Sequence, residues 1–204
     1  CEIAGMEFVD EGEGDRAYLR MDQWHHRIVL HADGKDDLAY LGFRVAGPPD
    51  FAAMAERLQQ AGIAFRISTK EEADERRVLA VMKLADPAGN PIEIFWGPQV
   101  DAHKPFHPGR PMFGRFLTGE EGMGHVAFAQ PDVEAAIRFY EVLGFKGGVG
   151  VRLSLPGGMV LEPVFMDVNQ RQHTLAFAPA PEGKRIHHLM FQYSDLRDLG
   201  LAHD

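Results

Sequence analysis

Only one cysteine, Cys1, occurs among the 204 residues. No intrachain disulfide can form, so packing alone must hold the fold, as in proteins of the reducing cytoplasm. Positive charge is in deficit: 21 Lys and Arg stand against 30 Asp and Glu, for a net charge of -9 and a pI near 5.5. A nucleic-acid partner needs a basic face to meet its phosphates, so that class of partner is excluded. No apolar run reaches the roughly 18 residues of a membrane-spanning helix, so no membrane role is expected. An initiator methionine is also lacking. The chain opens inside an apolar–polar alternation and closes at "DLRDLGLAHD", which reads as a helix cut short. We therefore expect a fragment, truncated at both ends.

What is present is ordinary globular material, 45% hydrophobic and 25% charged, enough for one large domain or two of about 100 residues. A repeat organises it. "HVAFAQPD" (125–132) and "HLMFQYSD" (188–195) share the frame H-x-x-F-x-x-x-D, and "FRVAGPPD" (43–50) is a weaker copy with Phe43 in place of the histidine. Each copy reads as an apolar strand, then Asp50, Asp132 or Asp195 at a helix N-cap, then a helix. The helices are 51–62, 133–144 and the start of one at 196–204, with Gly62 and Gly144 placed as terminating glycines. Strand-like stretches follow: 63–68, 76–86 and 91–97 after the first helix, and 149–155, 159–168 and 172–178 after the second. "DPAGN" (86–90) and "PGG" (156–158) punctuate them as turns.

The unit is thus strand, helix, three strands, in modules of roughly 50–60 residues. The first 31 residues read as the end of one module, and a fourth begins near residue 185. The stretch around His26 resembles that around His173 and sets the two histidines at equivalent places. "GPQVDAHKPFHPGRPMFG" (97–114) reads as the connector between two halves. We place the boundary at 1–108 for an N-terminal half and 109–204 for a C-terminal half.

Strand alternation then sorts the histidines, because successive side chains point to opposite faces. Val126 and Phe128 point one way and His125, Ala127 and Ala129 the other. In "KRIHHLMFQYSD" (184–195) His187 shares a face with Leu189 and Phe191, and His188 with Met190 and Gln192. The bulky pairs should pack on the following helices. That leaves His125 and His188 facing one another across a cavity, where two neutral imidazoles suit a divalent metal. His187 is expected to pack on the opposite face. His25, His26, His31, His103, His107 and His203 receive structural readings.

"GMGHVAFAQPD", "NQRQHTLAFAP" and "KRIHHLMFQYSD", in that order, resemble the type I extradiol ring-cleavage dioxygenases of the vicinal oxygen chelate superfamily. "DPAGNPIEIFWG" extends the likeness into the first half. The resemblance implies an α+β fold of two similar domains, each of paired βαβββ modules, the glyoxalase–bleomycin resistance–dioxygenase fold, with Fe(II) in the C-terminal domain. It sets the metal ligands on His125 and His188 and the acid–base histidine on His173. It sets Phe165 on the substrate pocket. Separately, we expect Ala127 and Met190 as further lining. The third ligand, a Glu, is expected beyond Asp204. Glu93 occupies the matching place in the wrong half, without a histidine partner at Phe43, and reads as structural.

Two His and one carboxylate leave three positions open on Fe(II), room for a chelating catechol and dioxygen. The implied reaction is meta cleavage of a bicyclic or substituted catechol such as 2,3-dihydroxybiphenyl, in cytoplasmic catabolism of aromatic compounds, by a homo-oligomer. Two other readings use the same modules: a metal-dependent glyoxalase-like isomerase or lyase, and a non-catalytic small-molecule binder. His173 in its frame speaks against the first, and the two metal histidines speak against the second.

Overall fold

Short apolar stretches between turn residues become strands here, and the amphipathic stretches become helices. The computed structural model describes residues 2–9, 14–154, 156–158, 160–179 and 185–203. Cys1, Leu155, Met159, Lys184 and Asp204, each used in the sequence reading, lie outside the described residues. The chain divides into two compact units: Cys1–Asp36 with Pro98–Gly124 and Met190–Asp204, and Asp37–Gly97 with His125–Leu189. The boundary drawn at 108/109 follows the repeat, whereas these units interleave along the chain.

In the first unit β1 (Glu7–Val9), β2 (Arg16–Arg20) and β3 (Ile28–His31) form an antiparallel sheet in that order, the end of a module. Met6, Leu19, Met21 and Phe116 make its core. Arg20 is fully buried, and its guanidinium donates to Glu7 Oε2 at 2.9 Å and to the carbonyls of Lys104 at 2.9 Å and Trp24 at 3.1 Å. A buried cation needs such full satisfaction, and Arg20 thereby fixes part of the Pro- and Gly-rich connector.

The second unit holds two modules. One runs β4 (Leu41–Arg44), α1 (Pro48–Gln60), β5 (Phe65–Ile67), α2 (Lys70–Glu75), β6 (Ala80–Ala85) and β7 (Pro91–Trp96). Its sheet order is β4-β7-β6-β5, with β4 parallel to β7 and the other pairs antiparallel. The other runs β8 (His125–Ala129), α3 (Val133–Val142), β9 (Lys146–Gly150), the hairpin β10 (Leu153–Ser154) and β11 (Val160–Leu161), then β12 (Val164–Asp167) and β13 (Leu175–Ala178). The next strand, β14 (Ile186–Met190), borders β8, giving the order β14-β8-β13-β12-β9. Both modules therefore have the expected βαβββ topology.

Two helix starts differ from each other. Asp132 caps α3, its carboxylate accepting from Ala135 N at 2.9 Å. Asp50 does not cap α1: Gly47 does, and Pro48 and Pro49 open the helix. Proline supplies helical φ without needing an N–H partner, so α1 starts earlier and Asp50 falls in its first turn, favourably placed for the helix dipole. Gly62 and Gly144 follow the C-caps at φ +69° and +99°, conformations that a Cβ would strain. The helix α2 was not expected. Thr69 and Glu72 close a reciprocal capping box at its start.

Register fixes which face of the second sheet meets the helices. Across β8, β13 and β12, Val126, Leu175 and Met166 align, as do Phe128, Phe177 and Val164. All six join the core with Phe139 and Tyr140 of α3 and with Phe51, Met54 and Leu58 of α1. Ala127, Ala176 and Phe165 align on the opposite face.

The "DPAGN" turn is tied into this core. Asp86, 5% exposed, accepts from Ala88 N at 2.9 Å and Asn90 N at 2.8 Å. Its other oxygen accepts from Asn90 Nδ2 at 2.8 Å, Tyr140 OH at 3.0 Å and Gln130 Nε2. Glu93 is likewise buried, between Arg76 at 3.0 Å and Lys83 at 3.8 Å, and so has the structural setting expected of it.

The last helix, α4 (Leu196–His203), belongs to the first unit. Asp195 caps it, accepting from Arg197 N at 2.9 Å. Its buried Asp198 accepts from Phe113 N at 3.0 Å and Gly114 N at 2.8 Å. Among the described residues no helix is long and apolar enough to cross a membrane.

Candidate active site

Three strands of one sheet converge on three histidines. His125 opens β8, His188 sits in the adjacent β14, and His173 lies two residues before β13. Because β8 and β13 are parallel with Val126 opposite Leu175, His125 and His173 emerge at the same end of the sheet. Their rings lie 4.2 Å apart, tilted by 31°. The Nε2 atoms of His125 and His188 are 3.0 Å apart. Phe165 meets the His173 ring edge-on at 4.9 Å. Alanines at 127 and 176 keep the neighbouring sheet face low. Met190 ends β14, two residues beyond His188, and is half-buried.

All three imidazoles are held neutral. Burial pushes the His125 pKa down to about 4, aided by repulsion from His173, His188 and Arg171. Burial also lowers that of His173, with His188 and Arg171 contributing. His188 is lowered by burial and by His187. A neutral imidazole offers a lone pair, which a cation or a substrate proton requires.

Two residues that the sequence reading passed over shape this site. Gln172 Oε1 contacts His173 Nδ1. An amide oxygen only accepts, so Nδ1 of neutral His173 carries the proton and Nε2 the lone pair. That Nε2 is buried without a hydrogen-bond partner. Arg171 is the second, 6% exposed, and its charge reaches both His125 and His173. His187 departs from its expected place. It is exposed, and its Nδ1 lies 2.7 Å from His188 Nδ1. With its side chain exposed and not drawn into the core on the opposite face, the ring lies edge-on to its neighbour.

The model of the Glyoxalase/Bleomycin resistance protein/Dioxygenase superfamily matches residues 122–204. Over its whole length the chain is 64% identical to the biphenyl-2,3-diol 1,2-dioxygenase of Sphingomonas paucimobilis, of which it spans 68%. It belongs to the extradiol ring-cleaving dioxygenases. A second member, the 1,2-dihydroxynaphthalene dioxygenase of Sphingobium xenophagum, is 62% identical over 204 residues, 68% of that protein. The crystal structure of a catechol 2,3-dioxygenase superposes with a TM-score of 0.94 at 59% identity, covering 99% of this chain and 71% of that one. The family and fold expected from the three motifs are thus borne out.

Extradiol dioxygenases of this family are metal-dependent, and the imidazole pair fits a cation. With metal–nitrogen bonds of about 2.0–2.1 Å, two ligands at right angles lie about 2.9 Å apart. The observed Nε2 separation is 3.0 Å. Without a cation, one of these nitrogens must carry the proton that joins them. Among the described residues no group of three or more His, Cys, Asp or Glu side chains gathers at one point. Among those residues the candidate cation contact is thus the imidazole pair of His125 and His188.

Proposed function

We propose that the protein is an Fe(II)-dependent extradiol dioxygenase that cleaves a bicyclic or substituted catechol beside its diol. The observation that carries this reading is the Nε2 pair at 3.0 Å with the His173 ring stacked 4.2 Å from His125. His125 and His188 would hold the iron through Nε2. Bound there, Fe(II) would supply a chelation point for the diol and redox coupling between an aromatic diol and dioxygen. The protein's own groups do the rest. His173 Nε2, with its lone pair kept free by Gln172, accepts a proton from a catechol hydroxyl and returns it later in the cycle. Arg171 opposes protonation of His125 and His173, keeping both available. Phe165 backs His173, and with Ala127 and Met190 it is assigned to the wall that receives the substrate's second ring.

The relatives' names support aromatic diols as the substrate class, with dioxygen as co-substrate. A homo-oligomer working in the cytoplasm, with 1–108 as a non-catalytic half and 109–204 as the catalytic one, completes the reading. The test is direct. Anaerobic loading with Fe(II), then 2,3-dihydroxybiphenyl, then air should give oxygen uptake and a yellow ring-opened acid. No uptake across a panel of catechols, with iron bound, would overturn it.

A further inference from the structure

We propose that His187 is a positioning residue that fixes the tautomer and orientation of His188; this rests on the reading of His188 as a metal ligand. Alternation puts the two Cβ atoms on opposite faces of β14, and an ordinary second histidine would point away. Here the rings instead meet edge to face, with centroids 5.0 Å apart and an interplanar angle of 76°. That brings Nδ1 to within 2.7 Å of Nδ1.

The chemistry of this contact has one useful solution. Two neutral Nδ1 atoms at hydrogen-bond distance need one proton between them. His188 must present its Nε2 lone pair for a cation, so its own proton sits on Nδ1. His188 Nδ1–H therefore donates to the Nδ1 lone pair of His187, whose proton is on Nε2. The same assignment satisfies the other contact, since His125 Nε2–H can then donate to His188 Nε2 in the metal-free protein.

The need for such a restraint is specific to this strand. His188 is exposed, whereas His125 and His173 are half-buried. Ring packing already orients His125 against His173. His188 has less around it, and a ligand imidazole with no partner on its other nitrogen would rotate and exchange tautomers. Outer hydrogen bonds to ligand histidines are commonly worth about 10–100-fold in metal affinity.

Fe(II) affinity, titrated anaerobically, and two-bond 1H–15N spectra of the metal-free protein test the idea together. His187→Ala should weaken Fe(II) binding about tenfold and convert His188 from one tautomer to a mixture. His187→Asn, whose Oδ1 can take the place of Nδ1 as acceptor, should restore both, while His187→Leu should restore neither. An unchanged His188 tautomer in the metal-free His187→Ala protein would overturn the proposal, whatever iron does. So would full iron affinity in that variant. His188→Ala tests the underlying reading separately: if it binds Fe(II) like the parent, the ligand assignment fails, and the spectra alone then judge the hydrogen bond.

Discussion

The carboxylate of Asp37 receives the start of β14, 148 residues further along the chain: it accepts from Arg185 N at 3.0 Å, Ile186 N at 3.0 Å and Arg185 Nε at 3.1 Å. The Arg185 guanidinium also donates to the Leu38 carbonyl. β14 carries His187 and His188, so one acidic side chain at the beginning of the second unit sets where that strand lies beside β8. The link from sequence to site therefore passes through a loop residue that no motif marks.

Acid should release this contact. Burial raises the Asp37 pKa, but the N–H groups of Ile186, Arg185 and Leu38 and the Arg185 side chain outweigh it and hold the carboxyl well below its ordinary value. A depressed folded-state pKa contributes stability that is whole above the unfolded value of about 3.9 and is lost as pH falls below it. Asp37→Asn should cost about 1–2 kcal/mol at pH 7, the low end of the range for bonds to a charged group reduced by solvent screening. The side chains are 22% and 37% exposed, so solvent screens the pair. The difference in melting temperature between parent and variant should narrow between about pH 4 and 2; a constant difference would count against the assignment.

Gly124 is the second place where the strands are held close. Its φ is +150°, and a Cβ there would lie 1.6 Å from the Met190 carbonyl oxygen and 2.8 Å from its carbon. Backbone cannot yield as a flexible side chain can. Gly124→Ala should destabilise the protein by at least about 2 kcal/mol and should lower Fe(II) affinity, because His125 follows directly. Thermal melting and metal content after dialysis would check it; a variant with the parent's Tm would contradict the close approach.

His173 and Gln172 should separate binding from turnover. His173→Ala removes the proposed proton carrier and leaves both metal histidines, so it should retain iron while kcat falls about 10²–10⁴-fold. Gln172→Leu removes the acceptor for His173 Nδ1–H and lets the proton move to Nε2. It should lower kcat by a smaller factor, with Gln172→Glu retaining more activity than Leu because its carboxylate still accepts. Equal kcat in the Leu and Glu variants would argue that Gln172 does not set the tautomer.

Much of this was legible in the chain, for physical reasons. The H-x-x-F-x-x-x-D frames joined a period of two to a capped helix, and that combination specifies both the module and the outward face of His125. The six aligned core residues of β8, β12 and β13 follow from the same alternation. Other features had no such period. The stretch "KEEADE" of α2 has no apolar stripe, and only its capping box marks it. The start of α1 was set by two prolines and not by Asp50. His187 is exposed and turned to its neighbour, an orientation that alternation alone does not give. Gln172 acts through a contact between neighbours in a bend, where neither helical nor strand periodicity speaks.

The buried Asp86 cluster gives the sharpest stability contrast. Tyr140, fully buried, donates to Asp86 at 3.0 Å, and burial and the Asp86 charge push its phenol well above the usual range. Tyr140→Phe removes one donor of several to this carboxylate and leaves the ring packing with Phe145 and Phe177. It should cost about 1–2 kcal/mol. Asp86→Ala strands more: Tyr140 OH, Gln130 Nε2 and Asn90 Nδ2 all lose their acceptor inside the core, and the turn loses the bonds to Ala88 N and Asn90 N. Each unsatisfied buried group costs about 1–3 kcal/mol, so this variant should lose at least about 3 kcal/mol. In the double variant Asp86→Ala with Tyr140→Phe, one stranded hydroxyl is gone, and the loss should be smaller than the sum of the single losses. Urea unfolding of the four proteins measures that coupling, and strict additivity would show that the hydroxyl and the carboxylate do not depend on one another.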